Sequence, residues 1–338
     1  MWCRPIQQEH STTIRSSYPS FYLRNICANF AHTHTTSSNH VHNKIMPKIG
    51  VIGGSGLYNM EGMTDVKEVT MDTPFGKPSD NYISGTLNGV ECVFLSRHGR
   101  GHVVNPSEVN YRANIMGMKM LGVEWIISVT ACGSLQEEIV PGDMVIIDQF
   151  IDRTVQRPAT FFENGIVGHV PFARPLCDTL RGFLKQACET LNITHHWGGI
   201  YVNMEGPAFS TEAESNMHRS WGAKVIGMTN MTEARLAREA EISLATISMA
   251  TDYDCWRQGH ESVTVEQVMK TAGENVEKAK RIVAETIKIV SGYSGKKPPA
   301  QCALGGGGAI MTAKDKIPQD RLVALAPIIG AYLPAGQN

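Results

Sequence analysis

The sequence lacks any apolar run close to the ~20 residues that a membrane-spanning helix needs. It also lacks an excess of charge, because 31 Lys and Arg residues stand against 32 Asp and Glu residues and leave a formal net charge of −1. This balance gives no electrostatic reason to bind nucleic acid or an anionic membrane surface. We therefore expect neither nucleic acid nor a membrane among the partners of this protein.

Cysteines at metal-binding spacing are absent as well. None of the eight cysteines belongs to a Cys-x-x-Cys pair, and a chain of 338 residues is too long for a small disulfide scaffold. Cys92 and Cys188 lie in apolar segments. We therefore expect reduced thiols in a reducing compartment, and no bound metal.

Residues 1–46 show no apolar periodicity and contain a single acidic residue, Glu9. They are rich in Ser, Thr, His and Asn. Arginines without matching acids faintly resemble an organellar transit peptide. We favour a plainer interpretation, which is a disordered extension or an upstream start before a real beginning near Met46.

From Lys48 onward, short apolar runs alternate with helical patterns. The runs that predict strands are 49–52, 82–86, 91–96, 125–129, 143–147, 200–204, 224–228 and 242–250. The patterns that predict helices are 106–121, 175–191, 211–221, 232–240 and 264–290, followed by a final helix over 318–332. Asn88-Gly89 between two of the strands predicts a hairpin.

This alternation predicts an α/β fold, a single domain with a central mixed β-sheet flanked by helices. The predicted domain covers residues 47–292, because no linker composition interrupts it. A C-terminal segment over 293–338 contains a glycine-rich joint at 305–308 and the final helix. We assign this segment to the same domain.

Asp252 and Asp254 stand one residue apart just after the apolar run 242–250. In an extended chain, residues i and i+2 project to the same face, so both carboxylates would face one spot at the carboxyl end of a strand. Two close carboxylates repel, and one then holds a proton. Such a pair suits an amino group beside a ring nitrogen, as on adenine. The plainer alternative is that both aspartates cap turns or bind backbone amides.

Small or cationic polar residues follow other predicted strands, where they could bind an anion. They are Ser55 within Gly53–Gly56, Arg97 with His98, Thr130 with Ala131, and Thr229. Taken singly, each has an ordinary explanation as a tight turn, a surface arginine, a packed turn or a helix N-cap. Together at one edge of one sheet, they predict a phosphate site.

Several motifs in a fixed order are jointly specific. They are Gly50-Val-Ile-Gly-Gly-Ser-Gly56, Thr73-Pro-Phe-Gly-Lys-Pro-Ser79, Ser96-Arg-His-Gly99, Asn110-Tyr-Arg-Ala-Asn114, Thr130-Ala-Cys-Gly-Ser-Leu135, Glu205-Gly-Pro-Ala-Phe-Ser210 and Ala250-Thr-Asp-Tyr-Asp-Cys-Trp256. With these motifs, nearly all of 48–290 resembles the purine nucleoside phosphorylase and methylthioadenosine phosphorylase family. The last motif points to the methylthioadenosine branch of that family.

The resemblance implies a nucleoside phosphorylase-like fold and a pentosyltransferase activity. The implied reaction is the reversible phosphorolysis of S-methyl-5'-thioadenosine to adenine and S-methyl-5-thio-α-D-ribose 1-phosphate, in methionine and purine salvage. The small-molecule partners are then the nucleoside and inorganic phosphate, a co-substrate, and no cofactor is expected. The resemblance also implies a homotrimer in the cytoplasm, with the nucleus as a further candidate compartment.

Residue by residue, the resemblance assigns phosphate binding to Ser55, Arg97, His98, Thr130, Ala131 and Thr229. It assigns substrate binding to Phe209, Ser210, Met228, Asp252, Asp254, Val265, Val268 and His169. Asp252 and Asp254 are the expected catalytic residues: Asp252 acts as general acid towards the ring nitrogen, and Asp254 fixes the exocyclic amine. His169 would be lent by a neighbouring subunit, and no residue is expected to bind metal.

Two positions favour a methylthio adenine nucleoside over a 6-oxopurine nucleoside. Asp252 stands where relatives that use 6-oxopurines have asparagine, and an ionised carboxylate cannot donate to a carbonyl. Val265 stands where those relatives have a histidine for a 5'-hydroxyl, and leaving that hydroxyl unpaired would cost about 1–3 kcal/mol.

The alternatives that stay open are a broader purine nucleoside phosphorylase acting on adenosine or 6-oxopurine nucleosides, a nucleosidase that uses water, and a nucleoside-binding protein without activity. The sequence departs from the family at Asn230-Met231-Thr232-Glu233, where Thr-Val-Pro-Glu is expected, and at Ala208. These departures leave the phosphate affinity and the tolerance for adenosine open.

Overall fold

The computed structural model describes residues 47–54, 56–57, 60–257 and 265–332, without the side chains of 265–268. The chain divides into two units between Ile45 and Met46, and all described residues belong to the second unit. The predicted extension over 1–46 lies outside the described residues and stays a prediction.

In the described part of the chain, eleven strands form one sheet. Their bounds are β1 Lys48–Gly53, β2 Thr64–Val69, β3 Tyr82–Leu87, β4 Val90–Ser96, β5 Val123–Ser134, β6 Met144–Ile146, β7 Gln149–Asp152, β8 His195–Trp197, β9 Ile200–Asn203, β10 Ala223–Gly227 and β11 Ser243–Asp252. Parallel and antiparallel pairs both occur, so the predicted mixed sheet is confirmed.

Helices flank this sheet. Their bounds are α1 Tyr111–Met120, α2 Asp178–Thr190, α3 Glu212–Ser220, α4 Asn230–Glu239, α5 Val265–Gly292 and α6 Gln319–Ile329, with short 3-10 turns at Pro299–Cys302, Gly305–Gly307, Lys314–Lys316 and Gly330–Tyr332. Over the ranges the structure describes, none of these helices is apolar over a length that could cross a membrane.

The sheet is built around β5, which runs parallel to β1 on one side and to β11 on the other. Past the residues that pair with β1, the end of β5 pairs antiparallel with β10 through Gly133 and Ser134. The order β2-β3-β4-β1-β5-β10-β9-β7 completes the main path, while β11 leads to β6 and β8. The carboxyl ends of β4, β1, β5 and β11 therefore lie along one edge.

The predicted hairpin is confirmed, with Asn88 and Gly89 both at positive φ between β3 and β4. The predicted start of α1 at Pro106 is wrong, because the Asn110 side chain caps the helix by accepting from the Ala113 amide. Three strands were not predicted: β2 is mostly exposed, and β7 and β8 have four and three residues, so none has a strong apolar pattern.

Apolar side chains fill both faces of the sheet. One cluster packs α1, α4 and α6 against it, and another packs α2 and α5. Cys92 and Cys188 belong to the second cluster as free thiols, and burial raises the pKa of each to about 12. These layers leave the loops after the parallel strands as the place for polar chemistry.

Candidate active site

Backbone pairing brings the predicted phosphate-binding segments together. Gly53 of β1 pairs with Ser96 of β4, and the Arg97 amide donates to the Gly53 carbonyl at 2.9 Å. Thr130 of β5 pairs with Ser248 of β11, four residues before Asp252. The loops that follow these strands therefore open onto one common region.

Asp252 is the last residue of β11, and Asp254 follows in a turn with a φ of 54°. The predicted extended geometry for the pair is therefore wrong, because a positive φ turns the chain. Within the turn the Asp254 backbone amide donates to the Asp252 carboxylate at 2.7 Å, and the charge of Asp254 acts on Asp252, so the two residues are electrostatically coupled. Gly133 of β5 makes room for both: a Cβ there would lie 3.0 Å from Asp252 Oδ1 and 3.3 Å from Asp254 Cβ.

Burial raises the pKa of both Asp252 and Asp254. At Asp252 the Thr251 hydroxyl, which donates at 2.6 Å, and the Asp254 amide oppose this rise, while the charge of Asp254 adds to it. At Asp254 the hydroxyls of Ser215 and Ser210 oppose it. The pair therefore keeps a proton to higher pH than exposed carboxyls do, as a general acid requires.

Trp256 attaches the turn that holds Asp254 to the end of β5. Its indole N–H donates to the Ser134 carbonyl at 2.8 Å. The Arg219 guanidinium from α3 lies over the indole, with 3.6 Å between Cζ and the ring centroid, and its Nε donates to the Leu135 carbonyl at 3.0 Å. Sequence reasoning missed this anchor, because Arg219 is distant in sequence and belongs to no motif.

Arg97 is fully buried beside Glu233. Its Nε and Nη2 donate to the Glu233 carboxylate at 2.5 and 3.0 Å, Nη1 donates to the Val129 carbonyl at 3.0 Å, and Nη2 also reaches Ser128 Oγ at 2.8 Å. Burial opposes its charge, but Glu233 keeps the pKa of Arg97 above its ordinary value. Protein groups thus occupy most of this guanidinium, and its predicted contact with phosphate stays a prediction.

Asn230 joins the same buried network. Its side chain donates to Ser128 Oγ at 2.8 Å and accepts from the Thr246 hydroxyl at 2.6 Å. Asn230 and Glu233 are members of the stretch that departs from the family pattern, and both have defined partners here. Sequence reasoning did not assign them a role, because buried polar pairing across strands leaves no local signal.

His98 follows Arg97 and is held by the Val104 carbonyl, 2.8 Å from its Nδ1. A carbonyl only accepts, so Nδ1 has the proton and Nε2 is left as an acceptor. Burial, reinforced by Arg97, lowers the pKa of His98 to about 4. The ring is therefore neutral at neutral pH.

Thr130, Ala131 and Thr229 differ in exposure. Thr130 is buried and its hydroxyl donates to the Ala131 carbonyl at 3.1 Å, whereas Ala131 is exposed. Thr229 is the N-cap of α4, yet its buried hydroxyl makes no hydrogen bond. A free buried donor at a helix N-terminus is suited to an anion.

Of the predicted base and ribose contacts Phe209, Ser210 and Met228, the structure places Ser210 beside the aspartate turn. Phe209 is 46% exposed, and the Ser210 carbonyl lies 3.2 Å from the Cys255 Sγ, next to Asp254. The Met228 carbonyl accepts from the Arg157 guanidinium. A half-exposed aromatic ring such as that of Phe209 has a face open to stack on a planar base.

His169 is exposed and lies on a short bridge to the C-terminal segment, where its amide donates to the Ala309 carbonyl at 2.9 Å. Its side chain is thus open on this chain, and its contact with a neighbour's site stays a prediction. Ser55 lies outside the described residues. Val265 and Val268 begin α5, but their side chains are outside the described part, so these assignments also stay predictions.

The described residues contain no cluster of His, Cys, Asp or Glu side chains that could hold a metal ion. The polar groups of the site include carboxyl, hydroxyl, amide and guanidinium groups. Among the predicted site residues that the structure describes, Asp252 and Asp254 are carboxyls whose pKa burial raises, and Thr229 has a buried hydroxyl without a hydrogen bond.

Comparison with known proteins identifies the family to which this chain belongs. The model of the phosphorylase superfamily matches residues 48–288. The chain therefore belongs to that superfamily, the class of protein that the fold and the strand-end site define.

Individual proteins of this superfamily are similar to the chain over most of its length. The chain is 53% identical over 286 residues to the S-methyl-5'-thioadenosine phosphorylase of Geobacter sulfurreducens, covering 84% of this chain and 99% of the relative. It is 52% identical over 289 residues to that of Thermosynechococcus vestitus, covering 85% and 99%.

Solved structures of methylthioadenosine phosphorylases are similar to this chain as well. A methylthioadenosine phosphorylase from an antarctic soil metagenomic library superposes with a TM-score of 0.79 at 43% identity, covering 86% of this chain and 99% of that one. The methylthioadenosine phosphorylase of Schistosoma mansoni in complex with adenine gives a TM-score of 0.73 at 37% identity, covering 78% and 99%.

Proposed function

We propose that this protein catalyses the reversible phosphorolysis of S-methyl-5'-thioadenosine to adenine and S-methyl-5-thio-α-D-ribose 1-phosphate. The observation that carries the proposal is the buried Asp252–Asp254 pair at the end of β11, where burial raises the pKa of both carboxyls. Relatives at 53% and 52% identity bear the name of this activity.

The reaction replaces one bond to the anomeric carbon by another. The bond from that carbon to the purine nitrogen breaks, its electron pair stays on adenine, and a phosphate oxygen forms the new bond. Thr229, Thr130, His98, Ala131, Arg97 and Ser55 are the residues proposed to hold phosphate. His98 is neutral with Nε2 as an acceptor, so it can accept a hydrogen bond from a protonated phosphate oxygen.

The base side of the reaction needs a proton for the departing adenine. Asp252 is proposed to donate it to a ring nitrogen, and Asp254 to accept a hydrogen bond from the exocyclic amine. Phe209 and Ser210 border the base and ribose, Met228 meets the ribose hydroxyls through its backbone, and Val265 and Val268 border the methylthio group. These roles use acceptors and one donor, which match a 6-amino purine.

The test is release of the free base with and without inorganic phosphate, namely adenine from S-methyl-5'-thioadenosine and from adenosine, and hypoxanthine from inosine. We expect release that depends on phosphate and prefers the methylthio nucleoside. Release without phosphate would indicate a nucleosidase, and a preference for adenosine or inosine would indicate the broader purine nucleoside phosphorylase. If none of these nucleosides is turned over, the result would favour a nucleoside-binding protein without activity.

The oligomeric state, cofactor requirement and location complete the proposal. A homotrimer is proposed because His169 is exposed on its own chain and available to a neighbour. Sedimentation analysis should give three times the mass of the chain, and a monomer would contradict it.

Activity should survive dialysis against a chelator, because no cofactor is proposed. The proposed location is the cytoplasm, with the nucleus as a second compartment, and imaging of a tagged protein tests it.

A further inference from the structure

Arg157 is a buried cation to which no role has been assigned so far. Its side chain is 1% exposed. The guanidinium donates through Nε to Glu205 Oε1 at 2.8 Å, through Nη2 to the Glu205 carbonyl at 2.5 Å, and through Nη1 to the Tyr111 hydroxyl at 3.2 Å and to the Met228 carbonyl. One side chain therefore contacts three segments that are far apart in sequence.

Two of these segments lead directly to proposed nucleoside contacts. The loop that begins at Glu205 continues to Phe209 and Ser210, and the strand end at Met228 continues to Thr229. The other side-chain contact to the Met228 carbonyl, from the Asn203 amide, is long at 3.4 Å. The Met204 amide also donates to the Gly227 carbonyl at 2.8 Å, where β9 pairs with β10, so Arg157 adds a side-chain link just beyond the end of that backbone pairing.

The pairing of Arg157 with Glu205 is independent of pH in the physiological range. Burial opposes ionisation of Glu205, but the Val155 amide at 2.7 Å, the Ser107 hydroxyl at 2.7 Å and Arg157 together lower the pKa of Glu205 to about 2. Glu205 is therefore ionised, and its charge compensates that of the buried guanidinium. The contact is built as a permanent clamp and not as a switch.

The planar fork of arginine matters for this arrangement. Its nitrogens donate in fixed directions to two main-chain carbonyls and one carboxylate at once, whereas a lysine ammonium is a point charge on a flexible stem. The fork can hold the Glu205 and Met228 carbonyls at one separation beyond the point where the pairing of β9 with β10 ends. A lysine would keep the charge and lose that geometry.

We propose that Arg157 is a positioning residue that holds the Glu205–Ser210 loop against the Met228–Thr229 strand end, and that it thereby sets recognition of the ribose hydroxyls. The inference rests on the proposed function, because it takes Met228 as the backbone contact to the ribose. Arg157 acts through the positions of these carbonyls, so its loss should affect the nucleoside more than phosphate.

The experiment compares R157K with R181K in the full chain. Arg181 is a matched control, because it is also buried and donates to a main-chain carbonyl, that of Ile147 at 2.7 Å, and to Asp178 at 2.7 Å, on the α2 side of the sheet. The readouts are the melting temperature, kcat, the KM for S-methyl-5'-thioadenosine and for phosphate, and the ratio of kcat/KM for that nucleoside to its 2'-deoxy analogue.

For R157K we expect a loss in kcat/KM for the nucleoside of about 100-fold, the scale of a displacement near 1 Å at a reacting centre. The KM for phosphate should change less than threefold or so, and the ribo-to-deoxy ratio should fall towards one. R181K should keep the wild-type ratio. A folded R157K with wild-type kcat/KM and ratio would overturn the inference, as would equal losses in R157K and R181K with the ratio preserved.

A gentler variant keeps the test decisive if R157K does not fold. E205Q removes the carboxylate charge that accepts from Nε and should therefore loosen the guanidinium and its contact with the Met228 carbonyl. It should lower the ribo-to-deoxy ratio in the same direction, and an unchanged ratio would overturn the inference. If the wild-type enzyme is active and the variants keep its kinetic constants and ribo-to-deoxy ratio, the positioning role of Arg157 is refuted alone. If the wild-type protein shows no phosphate-dependent release of adenine, the proposed function is refuted together with that role.

Discussion

At the scale of single residues, the described part of the site combines satisfied and unsatisfied buried groups. Arg97 uses most of its donors on Glu233, Val129 and Ser128. Thr229 Oγ1 and Asp254 Oδ2 are buried without a hydrogen bond. An unpaired buried polar atom costs about 1–3 kcal/mol, which a protein tolerates where a ligand supplies the missing bond.

Replacement of Asp252 by Asn should remove the general acid. We expect D252N to lower kcat for S-methyl-5'-thioadenosine by about 10²–10⁴-fold, because an amide cannot transfer a proton to the departing base. Steady-state kinetics measure this, with D178N at the exposed start of α2 as a control. A fully active D252N with an unchanged base preference would contradict the assigned role.

Replacement of Thr229 by Val should separate stability from binding. The hydroxyl has no partner in the described residues, so T229V should raise the free energy of unfolding by about 1 kcal/mol by removing a buried unpaired group. The KM for phosphate should rise, because the proposed donor is lost. Denaturant unfolding and phosphate titration measure the two effects. A destabilised T229V with an unchanged KM for phosphate would argue for a purely structural hydroxyl.

At the scale of elements, α4 links the site to the far side of the molecule. Its N-terminus holds Thr229, and near its C-terminus Glu239 accepts from the Phe161 amide at 2.6 Å and the Thr160 hydroxyl at 2.8 Å. The chain then runs from Phe161 towards His169 and its bridge to the C-terminal segment. A buried carboxyl without a cation bonded to it makes this junction sensitive to pH.

Burial raises the pKa of Glu239 to about 7, although its two hydrogen bonds and Arg235 oppose the rise. Because the pKa of Glu239 is raised in the folded state, the contribution of its protonated form to the free energy of unfolding is fully present below the ordinary carboxyl range. That contribution is lost as the pH rises through 7. We expect the melting temperature of the wild type to fall between pH 5.5 and 8, and that of E239Q to fall less. The same decrease in both proteins would show that Glu239 is not responsible.

At the scale of the whole molecule, the C-terminal segment is part of the core. Leu304, Leu325 and Ile329 are fully buried in the cluster that contains α1 residues such as Ile115. The Leu304 amide and the Tyr332 hydroxyl both donate to Glu241, which follows α4. Side chains of residues 304–332 therefore share a hydrophobic core with α1.

Truncation of one buried side chain in this segment tests that conclusion. L325A should lower the free energy of unfolding by about 2–5 kcal/mol, because it opens a cavity in a fully buried position. V323A on the same helix is the control, since Val323 is 55% exposed and its truncation should change stability by less than about 0.5 kcal/mol. Equal effects in chemical denaturation would mean that α6 contributes no core.

Prediction from sequence worked where the signal was local. The Asn88-Gly89 turn needs positive φ, and apolar periodicity marks strands such as β11 and helices such as α2, so these elements were found. Strand β7 and the Asn110 cap were missed, because a short half-buried strand and a side-chain cap depend on neighbours. The pairing of Asp252 and Asp254 was predicted, but through a pleat and not through the turn that produces it.

The chain by itself determined the class of fold and the family, because periodicity and ordered motifs are written in consecutive residues. Only the tertiary structure decided which charges are compensated and which donors are free. Arg97 with Glu233, and Arg157 with Glu205 and Met228, are joined across long stretches of sequence. Contacts of this kind arise from packing of the sheet and its loops, and their energies depend on burial that no local pattern specifies.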